Sequence, residues 1–342
     1  MEPGFRLIDS GIVSGLHSQT VWHAIAEAMS PGDAPVLSIL RPAEAYVSIG
    51  YHVPIETVDE EACGRRGYAI YRRRAGGGPV LCDPSQLFFQ VVVPARDAPK
   101  RRDHAWARFL GPAVEAFRRL GVDAVLGPGN DVCANGLKVC GTGAAEIGDA
   151  LVFVGNVIFD FDHQAMAAVL RLPSAEARGE VERLMRRFLV PLPLITGGPR
   201  SVDEATEALI EAYAAVFGPP RRDVPSADEL RERERLDRLF VDPRWVRADR
   251  MTRRPSVKIR SGVGVVLVDD AVVSLVDGRI DRVLLGGGWV PAPGMRDELV
   301  RALEGLPLDR GSLDAAVRGA LGSSVRGAEL VDAIVRANTA WS

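Results

Sequence analysis

The sequence predicts an α+β fold in two parts, and three observations carry that prediction. Strand-like segments come early and in adjacent pairs. Helix-period segments dominate from His163 to about Gly218. A stretch rich in proline, glycine and charge, "GPPRRDVPSADE", then opens a smaller run of strands and helices. An alternating strand–helix layout would intersperse the two kinds of segment, whereas here they are segregated. The expected domains are residues 1–220 and a smaller α+β domain over 221–342.

Each element follows from local pattern. "SGLHSQTVWHAIAEAM" reads as a helix that Ser14 or Ser18 can cap, with Val21, Ile25, Ala28 and Met29 on one face. "APVLSIL" and "AYVSIGYHV" read as buried strands around the breaker pair Arg41-Pro42. "YAIYRRRAGGG" is a strand running into a glycine loop, and "SQLFFQVVVP" is a strand of strong β-formers. "HAWARFLGPAVEAFRRLG" is an amphipathic helix with a glycine stop. "GLKVCGTGAAEI" and "ALVFVGNVIFDFD" form a further strand pair, and "SVDEATEALIEAYAAVFG" closes the first part as a helix. Beyond the boundary, "RERERLDRLFVDPRWV" is a charged helix followed by an extended piece. "SVKIRSGVGVVLVDDAVVSLVDGRIDRVLLGG" is a strand meander with "DD" and "DG" turns, and two helices, "MRDELVRALEG" and a segment from about Ser312, end the pattern.

Composition bounds the function. Of 342 residues, 47% are hydrophobic and 25% charged, with a formal net charge of -3, so no global positive field points to nucleic acid. No apolar run reaches the roughly 18 residues of a membrane helix. "MEPGFRLIDSG" carries no secretory signal pattern, and Cys63, Cys82, Cys133 and Cys140 have neither zinc-finger nor thioredoxin spacing. A reduced, cytoplasmic setting and a monomeric chain are the expectation, with no metal site formed by the scattered His17, His23, His52, His104 and His163. "RRD" at Arg221, "RERER" at Arg231 and "MTRRPSVKIR" read as solvated faces first and as docking surfaces for an acidic partner second.

Two cationic, glycine-rich segments stand out. "YRRRAGGGPVLCDPSQLFF" packs Arg72, Arg73 and Arg74 against Gly76, Gly77 and Gly78. Glycines let backbone N–H groups approach an anion, and arginine can hold two of its oxygens at once. Strand alternation sends Arg72 and Arg74 to one face and Arg73 to the other. The segment lacks the Gly-Lys-Ser/Thr of a P-loop and the GxGxxG of a dinucleotide fold, and on its own it is equally a tight turn with solvated arginines. In "GNDVCANGLKVCGTG", Lys138 sits in an apolar strand between Gly136 and the pair Gly141 and Gly143. Alone, such a lysine is an exposed strand alternate; with glycines on both sides it marks close approach of a ligand. A lysine there neutralises an α-phosphate and the charge developing on a carbonyl oxygen. Together the two segments point to an activated, phosphate-bearing intermediate.

At these residues the chain resembles the lipoate–protein ligase A family of the biotin/lipoate ligase superfamily. The family's two arginines, two variable residues and three glycines are matched by Arg72-Arg73-Arg74-Ala75-Gly76-Gly77-Gly78, and the small-residue-Val and acidic positions that follow by Pro79-Val80 and Asp83. Asn130-Asp131, then Lys138-Val139-Cys140-Gly141-Thr142, then Gly155-Asn156-Val157-Ile158-Phe159-Asp160 match its later motifs. "LRPAEAYVSIGYHVP", "VLRLP" and "MRRFLVPL" resemble its early strands and helical close. "LDRLFVDPRWV" through "ELVRALEGLPLD" resembles its C-terminal accessory domain.

The resemblance implies a mixed-sheet catalytic domain and a two-step reaction. The carboxylate of lipoate, or octanoate, attacks the α-phosphorus of ATP, giving acyl-adenylate and pyrophosphate. The ε-amine of a lysine on a lipoyl-domain acceptor protein then takes the acyl group and releases AMP. Lys138 would be the catalytic residue. Arg72, Arg73, Gly76, Gly77, Gly78, Val80, Cys82, Gly141, Thr142 and Gly155 would hold nucleotide and acid, and Asn130 and Asp131 would orient the nucleotide or its Mg²⁺. Ile49, Phe89 and Val157 would line the tunnel for the chain.

Three positions depart from the family's pattern: Leu40 stands for its tryptophan, and Cys82 and Val154 each stand for a histidine. Rival readings are an octanoyl- or lipoyl-transferase working through a cysteine thioester, a biotin ligase, and a non-catalytic paralogue that binds lipoyl domains. The octanoyltransferase nucleophile on the strand before Gly155 would fall on Leu151, and the upstream cysteine of the other transferase subgroup has no clear counterpart before Asn130. That leaves Cys133 and Cys140 as the thiols that reading could use.

Overall fold

The computed structural model describes residues 4–127, 131–248, 256–286, 293–322 and 325–341. In chain order, Phe5–Val13 (β1) leads into Gly15–Ala28 (α1), which Ser14 caps by accepting from the His17 N–H. Val36–Pro42 (β2), Tyr46–Ile49 (β3), Glu60–Arg65 (α2), Ala69–Arg72 (β4), Val80–Cys82 (β5) and Gln86–Pro94 (β6) follow. After Arg102–Arg119 (α3) come Val125–Leu126 (β7), Val132–Ala134 (β8), Leu137–Cys140 (β9), Thr142–Ile147 (β10) and Ala150–Ile158 (β11). The next elements are His163–Ala168 (α4), Ala175–Phe188 (α5), Leu192–Thr196 (α6), Val202–Phe217 (α7), Pro220–Arg222 (β12), Ala227–Phe240 (α8) and Pro243–Val246 (α9). A meander, Ser256–Arg260 (β13), Val263–Val268 (β14), Ala271–Val276 (β15) and Arg279–Leu285 (β16), precedes Pro293–Leu303 (α10), Arg310–Leu321 (α11) and Val325–Trp341 (α12).

The chain forms two compact units, Met1–Asp162 with Val190–Met251, and His163–Leu189 with Thr252–Ser342. The division differs from the expected boundary at residue 220, for reasons internal to each unit. In the first, β12 pairs in parallel with β1, and Arg6 on β1 is bound by Asp223 at 2.7 Å and Glu229 at 2.6 Å, so residues 220–240 are stitched to the N-terminal strand. In the second, buried Glu180 on α5 accepts from the Ser274 hydroxyl on β15 and pairs with Arg183 and Arg282.

The first unit is built on a mixed six-stranded sheet in the order β10-β11-β6-β2-β1-β12. β1 and β2 run parallel around α1, and β2, β6, β11 and β10 are antiparallel neighbours. Strand alternation splits the apolar side chains between two faces. Leu37, Ile39, Phe89, Val91 and Phe153 pack with α3 and α7, where the Tyr213 hydroxyl donates to the Phe109 carbonyl at 2.9 Å. Val36, Leu40, Val92 and Val152 face Val21, Trp22 and Ile25 of α1. α1 is buried on its far side too, because Ala24 packs with Leu236 and Phe240 of α8. Two three-stranded sheets, β4-β3-β5 and β7-β8-β9, carry the glycine-rich segments.

The second unit is a meander of four antiparallel strands whose apolar face, including Val266, Val273 and Val283, packs with Leu299, Leu313 and Leu330 from α10, α11 and α12. Its "DG" turn places Asp277 and Gly278 at positive φ, as that hairpin type demands. Where the sequence suggested an extended piece at "DPRWV", Asp242 caps the short α9 instead, with Pro243 at its first position. Among the described residues three helices, not two, follow the meander. Among the described residues no helix is long and apolar enough to cross a membrane.

Candidate active site

Lys138 is delivered by a two-residue hairpin. Asn135 and Gly136 take φ of 51° and 76° between β8 and β9, the Asn-Gly turn that matches strand twist. The Lys138 ammonium reaches Asp131 Oδ1 at 2.9 Å, and both side chains are largely shielded. Asp131 Oδ2 is buried and has no hydrogen-bond partner among the described residues. Asn130, expected beside it, lies outside the described residues. The ammonium arm lies alongside Gly141: a Cβ placed there would stand in ordinary contact, 3.5 Å, with both Lys138 Cε and Asn156 Oδ1. The Gly141 N–H donates to Asn156 Oδ1 at 2.8 Å, Asn156 Nδ2 to Gln86 Oε1 at 2.9 Å, and Gln86 Nε2 to the Leu81 carbonyl at 3.0 Å. This relay ties the lysine strand to the main sheet and then to the strand after the glycine loop. Sequence reasoning passed over Asn156 and Gln86 as site residues, although an asparagine inside "FVGNVIF" is a polar residue in an apolar strand and thus a signal.

The arginines are arranged otherwise than the sequence suggests. Arg72 is fully buried and donates to the carbonyls of Gly50, Tyr51, Val53, Trp245 and Val246. Trp245 returns a hydrogen bond to the Arg72 carbonyl at 3.0 Å. Arg74 pairs with Glu27, and its guanidinium lies 5.8 Å from the Trp245 ring centroid. Its backbone N–H donates to His23 Nε2 at 3.1 Å, while His23 Nδ1 lies 2.6 Å from the Gln19 carbonyl. That pattern needs a neutral ring, and burial pushes the His23 imidazole down to about 3.

Arg73 turns under the loop. It donates to the Ser48 carbonyl at 2.8 Å and to the Gly76 and Gly78 carbonyls, each at 2.8 Å. Burial lowers its guanidinium to about 10. So Arg73 braces the loop from inside and Arg72 pins the strand leading to it. Gly76, Gly77 and Gly78 are left exposed, with Gly77 at φ 94°. Gly50 makes room beneath: a Cβ there would meet the Gly77 carbonyl oxygen at 2.0 Å. Val80, half-buried, opens β5 opposite Ser48, and Cys82 is buried beside Tyr46, its thiol pushed up to about 12 chiefly by burial.

The two segments meet over one face of the main sheet. Ala75, directly before the glycines, is buried in the α1-side cluster and stands 3.9 Å from where a Gly143 side chain would begin; Val154 stands 3.2 Å from the same point. Phe88 and Val154 are among the half-buried apolar residues on this face, next to Leu40 and Asn156. Two positions where the chain departs from the family pattern, Leu40 and Val154, therefore share the face that Ala75 covers. The expected tunnel residues lie elsewhere. Phe89 and Val157 belong to the core on the opposite face, and Ile49 is buried in β3. Gly155, expected at the ligand, is opposite too: a Cβ there would meet Phe89 Cζ at 2.3 Å, so its missing side chain is filled by that ring. Thr142 pairs with Gly155 across the ladder.

Residues 17–214 match the model of the lipoyl protein ligase A/B catalytic domain. The chain belongs to that family. The octanoyltransferase LipM of Kyrpidia tusciae is 28% identical over 262 residues, 69% of this chain and 95% of that protein. Lipoate-protein ligase A subunit 1 of Thermoplasma acidophilum is 26% identical over 235 residues, 65% of this chain and 88% of its own. Among solved structures, a bi-partite lipoate protein ligase from T. acidophilum, studied with its E2 lipoyl domain, superposes with a TM-score of 0.67 at 24% identity, covering 74% of this chain and 99% of that one. A lipoate-protein ligase A bound with ATP gives 0.61 at 24% identity, covering 73% and 100%. The family thus spans ligases and transferases of lipoylation. The α+β fold class, with a mixed-sheet catalytic region followed by a β/α accessory region, is the one the sequence predicts.

Proposed function

We propose that this chain is an ATP-dependent lipoate–protein ligase: it activates lipoate or octanoate as the acyl-adenylate and passes the acyl group to a lysine on a lipoyl domain. The observation that carries the reading is the Lys138 ammonium, held by Asp131 over Gly141 at the edge of the sheet face that Ala75 covers. A fixed cation there neutralises the α-phosphate oxygens in the first step and the developing carbonyl oxyanion in the second. The exposed Gly76, Gly77 and Gly78 offer backbone N–H groups to phosphate, and Arg73 keeps their carbonyls turned inward. The acid's chain lies along Leu40, Phe88 and Val154 beneath Ala75. Asp131 Oδ2 fits a Mg²⁺ ion, which takes one carboxylate and completes its shell with phosphate and water, and when bound such an ion supplies charge neutralisation at the phosphates. The acceptor is a lipoyl-domain protein in the same reduced, cytoplasmic compartment, met by a single copy of the chain.

A second reading has one observation in its favour. Cys133, half-buried on β8, lies directly opposite Lys138 in the ladder, where a thiol would stand beside a cation. An octanoyltransferase could use it as the thioester nucleophile. The test is the intact mass of a lipoyl acceptor domain after incubation with the protein, Mg²⁺ and lipoate, with and without ATP. The expected result is an ATP-dependent lipoyl gain that Lys138→Ala abolishes and Cys133→Ser leaves. Transfer from an octanoyl carrier without ATP, lost in Cys133→Ser, would overturn the ligase reading in favour of the transferase.

A further inference from the structure

Two buried polar side chains stand in the apolar face that would hold the acyl chain, and neither is used by the reading above. Ser38, in β2, is 0% exposed, and Gln90, in β6, is 2% exposed; they are opposite one another in the antiparallel ladder. Among the described residues Ser38 Oγ and Gln90 Oε1 have no hydrogen-bond partner. Alternation fixes where they point. Leu37, Ile39, Phe89 and Val91 flank them in sequence and all pack on the α3 and α7 side, so Ser38 and Gln90 face the α1 side with Val36, Leu40, Val92 and Ala75. The ladder continues the row: Ser38 opposite Gln90, Gln90 opposite Val154, Val154 opposite Gly143. The row runs beneath Ala75, one pleat further from the Lys138 end than the row of Asn156, Phe88 and Leu40.

Buried polar atoms are nearly always satisfied in folded proteins, and an unpaired hydroxyl beside an unpaired amide oxygen at an apolar wall is costly. A ligand that brings a hydrogen-bonding group removes that cost. The spacing says where on the ligand the group must be. With strands about 4.8 Å apart and alternate residues about 6.7 Å apart, Gln90 lies about 8 Å and Ser38 about 12 Å from Asn156 beside Lys138. An extended chain advances about 1.3 Å per bond, so those distances correspond to roughly the sixth to ninth atom from the carboxylate.

We propose that Ser38 and Gln90 form the recognition end of the acyl slot, and that the acid this chain prefers carries a hydroxyl or thiol near the far end of its chain. The proposal rests on the acid-activating reading and names the substrate class for the same site. The Gln90 carbonyl accepts from the O–H or S–H, and the Ser38 hydroxyl donates back to the same heteroatom. Unsubstituted octanoate would bury both groups unpaired. A site that hydrogen-bonds a substrate group rejects the analogue lacking it far more strongly than an apolar pocket rejects a misfit.

The test is calorimetric titration of the full chain with octanoate, 8-hydroxyoctanoate and reduced lipoate, repeated on Ser38→Ala, Gln90→Met and the double variant. The expected result is that 8-hydroxyoctanoate or reduced lipoate binds at least tenfold more tightly than octanoate, the two probes distinguishing hydroxyl from thiol. The preference should fall in each single variant and vanish in the double one. Octanoate binding as tightly as both polar acids in the unaltered protein would overturn the proposal alone, a comparison that needs no variant to fold. So would a preference that survives in the variants. Failure of all three acids to bind would overturn the acid-activating reading and the proposal with it.

Discussion

The sharpest consequence of the site's construction is a stability loss on mild acidification that traces to one side chain. His23 is fully buried, its ring stacked on Trp22 and edge-on to Phe240, and it accepts the Arg74 N–H that anchors the glycine loop. Burial holds its imidazole near 3, against about 6.5 in an unfolded chain. Between those values the unfolded chain binds a proton that the folded chain does not. Stability is therefore complete above about pH 6.5 and falls as pH drops toward 3. At about 1.4 kcal/mol per unit, the cost is about 2 kcal/mol at pH 5 and about 3 kcal/mol at pH 4. Urea unfolding at pH 7.5 and pH 5, on the protein and on His23→Gln, isolates the effect; pH 5 is chosen because ordinary carboxylates still hold their charge there. The unaltered protein should lose about 2 kcal/mol more than the variant between the two pH values. Equal losses would refute the assignment of a neutral, buried His23 as the anchor.

Other consequences are more direct. Gly50→Ala would put a methyl 2.0 Å from the Gly77 carbonyl oxygen, forcing the loop back by about 1 Å; kcat/KM in the lipoylation assay should drop roughly a hundredfold, and the thermal midpoint should fall as well because the clash is with backbone. Arg72→Lys replaces a planar five-donor group with a three-donor ammonium among buried carbonyls, and urea unfolding should show a loss of about 3 kcal/mol. Gly155→Ala drives a methyl into the Phe89 ring and should destabilise by about 1–3 kcal/mol, measured the same way, with the KM for acid unchanged because that contact is on the far face.

What could be seen in the sequence was governed by backbone constraint. Gly77 stands at φ 94°, a conformation that favours glycine, and the "DG" turn and the Ser14 cap likewise follow from local geometry alone. The destinations of Arg72 and Arg74 were not visible, since their partners, Val246, Trp245 and Glu27, are distant in sequence or on another element. β1 escaped notice because a register shift between Asp9 and Ile12 breaks the alternation of "FRLIDSGIV". Which strand residue faces Ala75 turns on a single position. Phe89 and Phe88 are equally apolar, and only the pairing of β6 with β2 and β11 says which of them faces Ala75.

The choice between ligase and transferase reduces to which group carries charge at neutral pH. A ligase needs a cation at the reacting phosphate and carbonyl, and the proposed one is the Lys138 ammonium, held 2.9 Å from Asp131 Oδ1. A transferase needs a thiolate. Cys140, beside Gly141, is fully buried, and burial pushes its thiol up to about 12. Cys140 is therefore a poor source of thiolate, and the thiol left for a thioester pathway is Cys133, half-buried opposite Lys138. Cys140→Ala should therefore leave lipoyl transfer within about twofold, since it removes only a small buried side chain. A loss of a hundredfold or more, together with an acyl adduct trapped on Cys140 by mass spectrometry, would mean that substrate binding strips that burial away. The charge argument for Lys138 as the centre of the reaction would then fail.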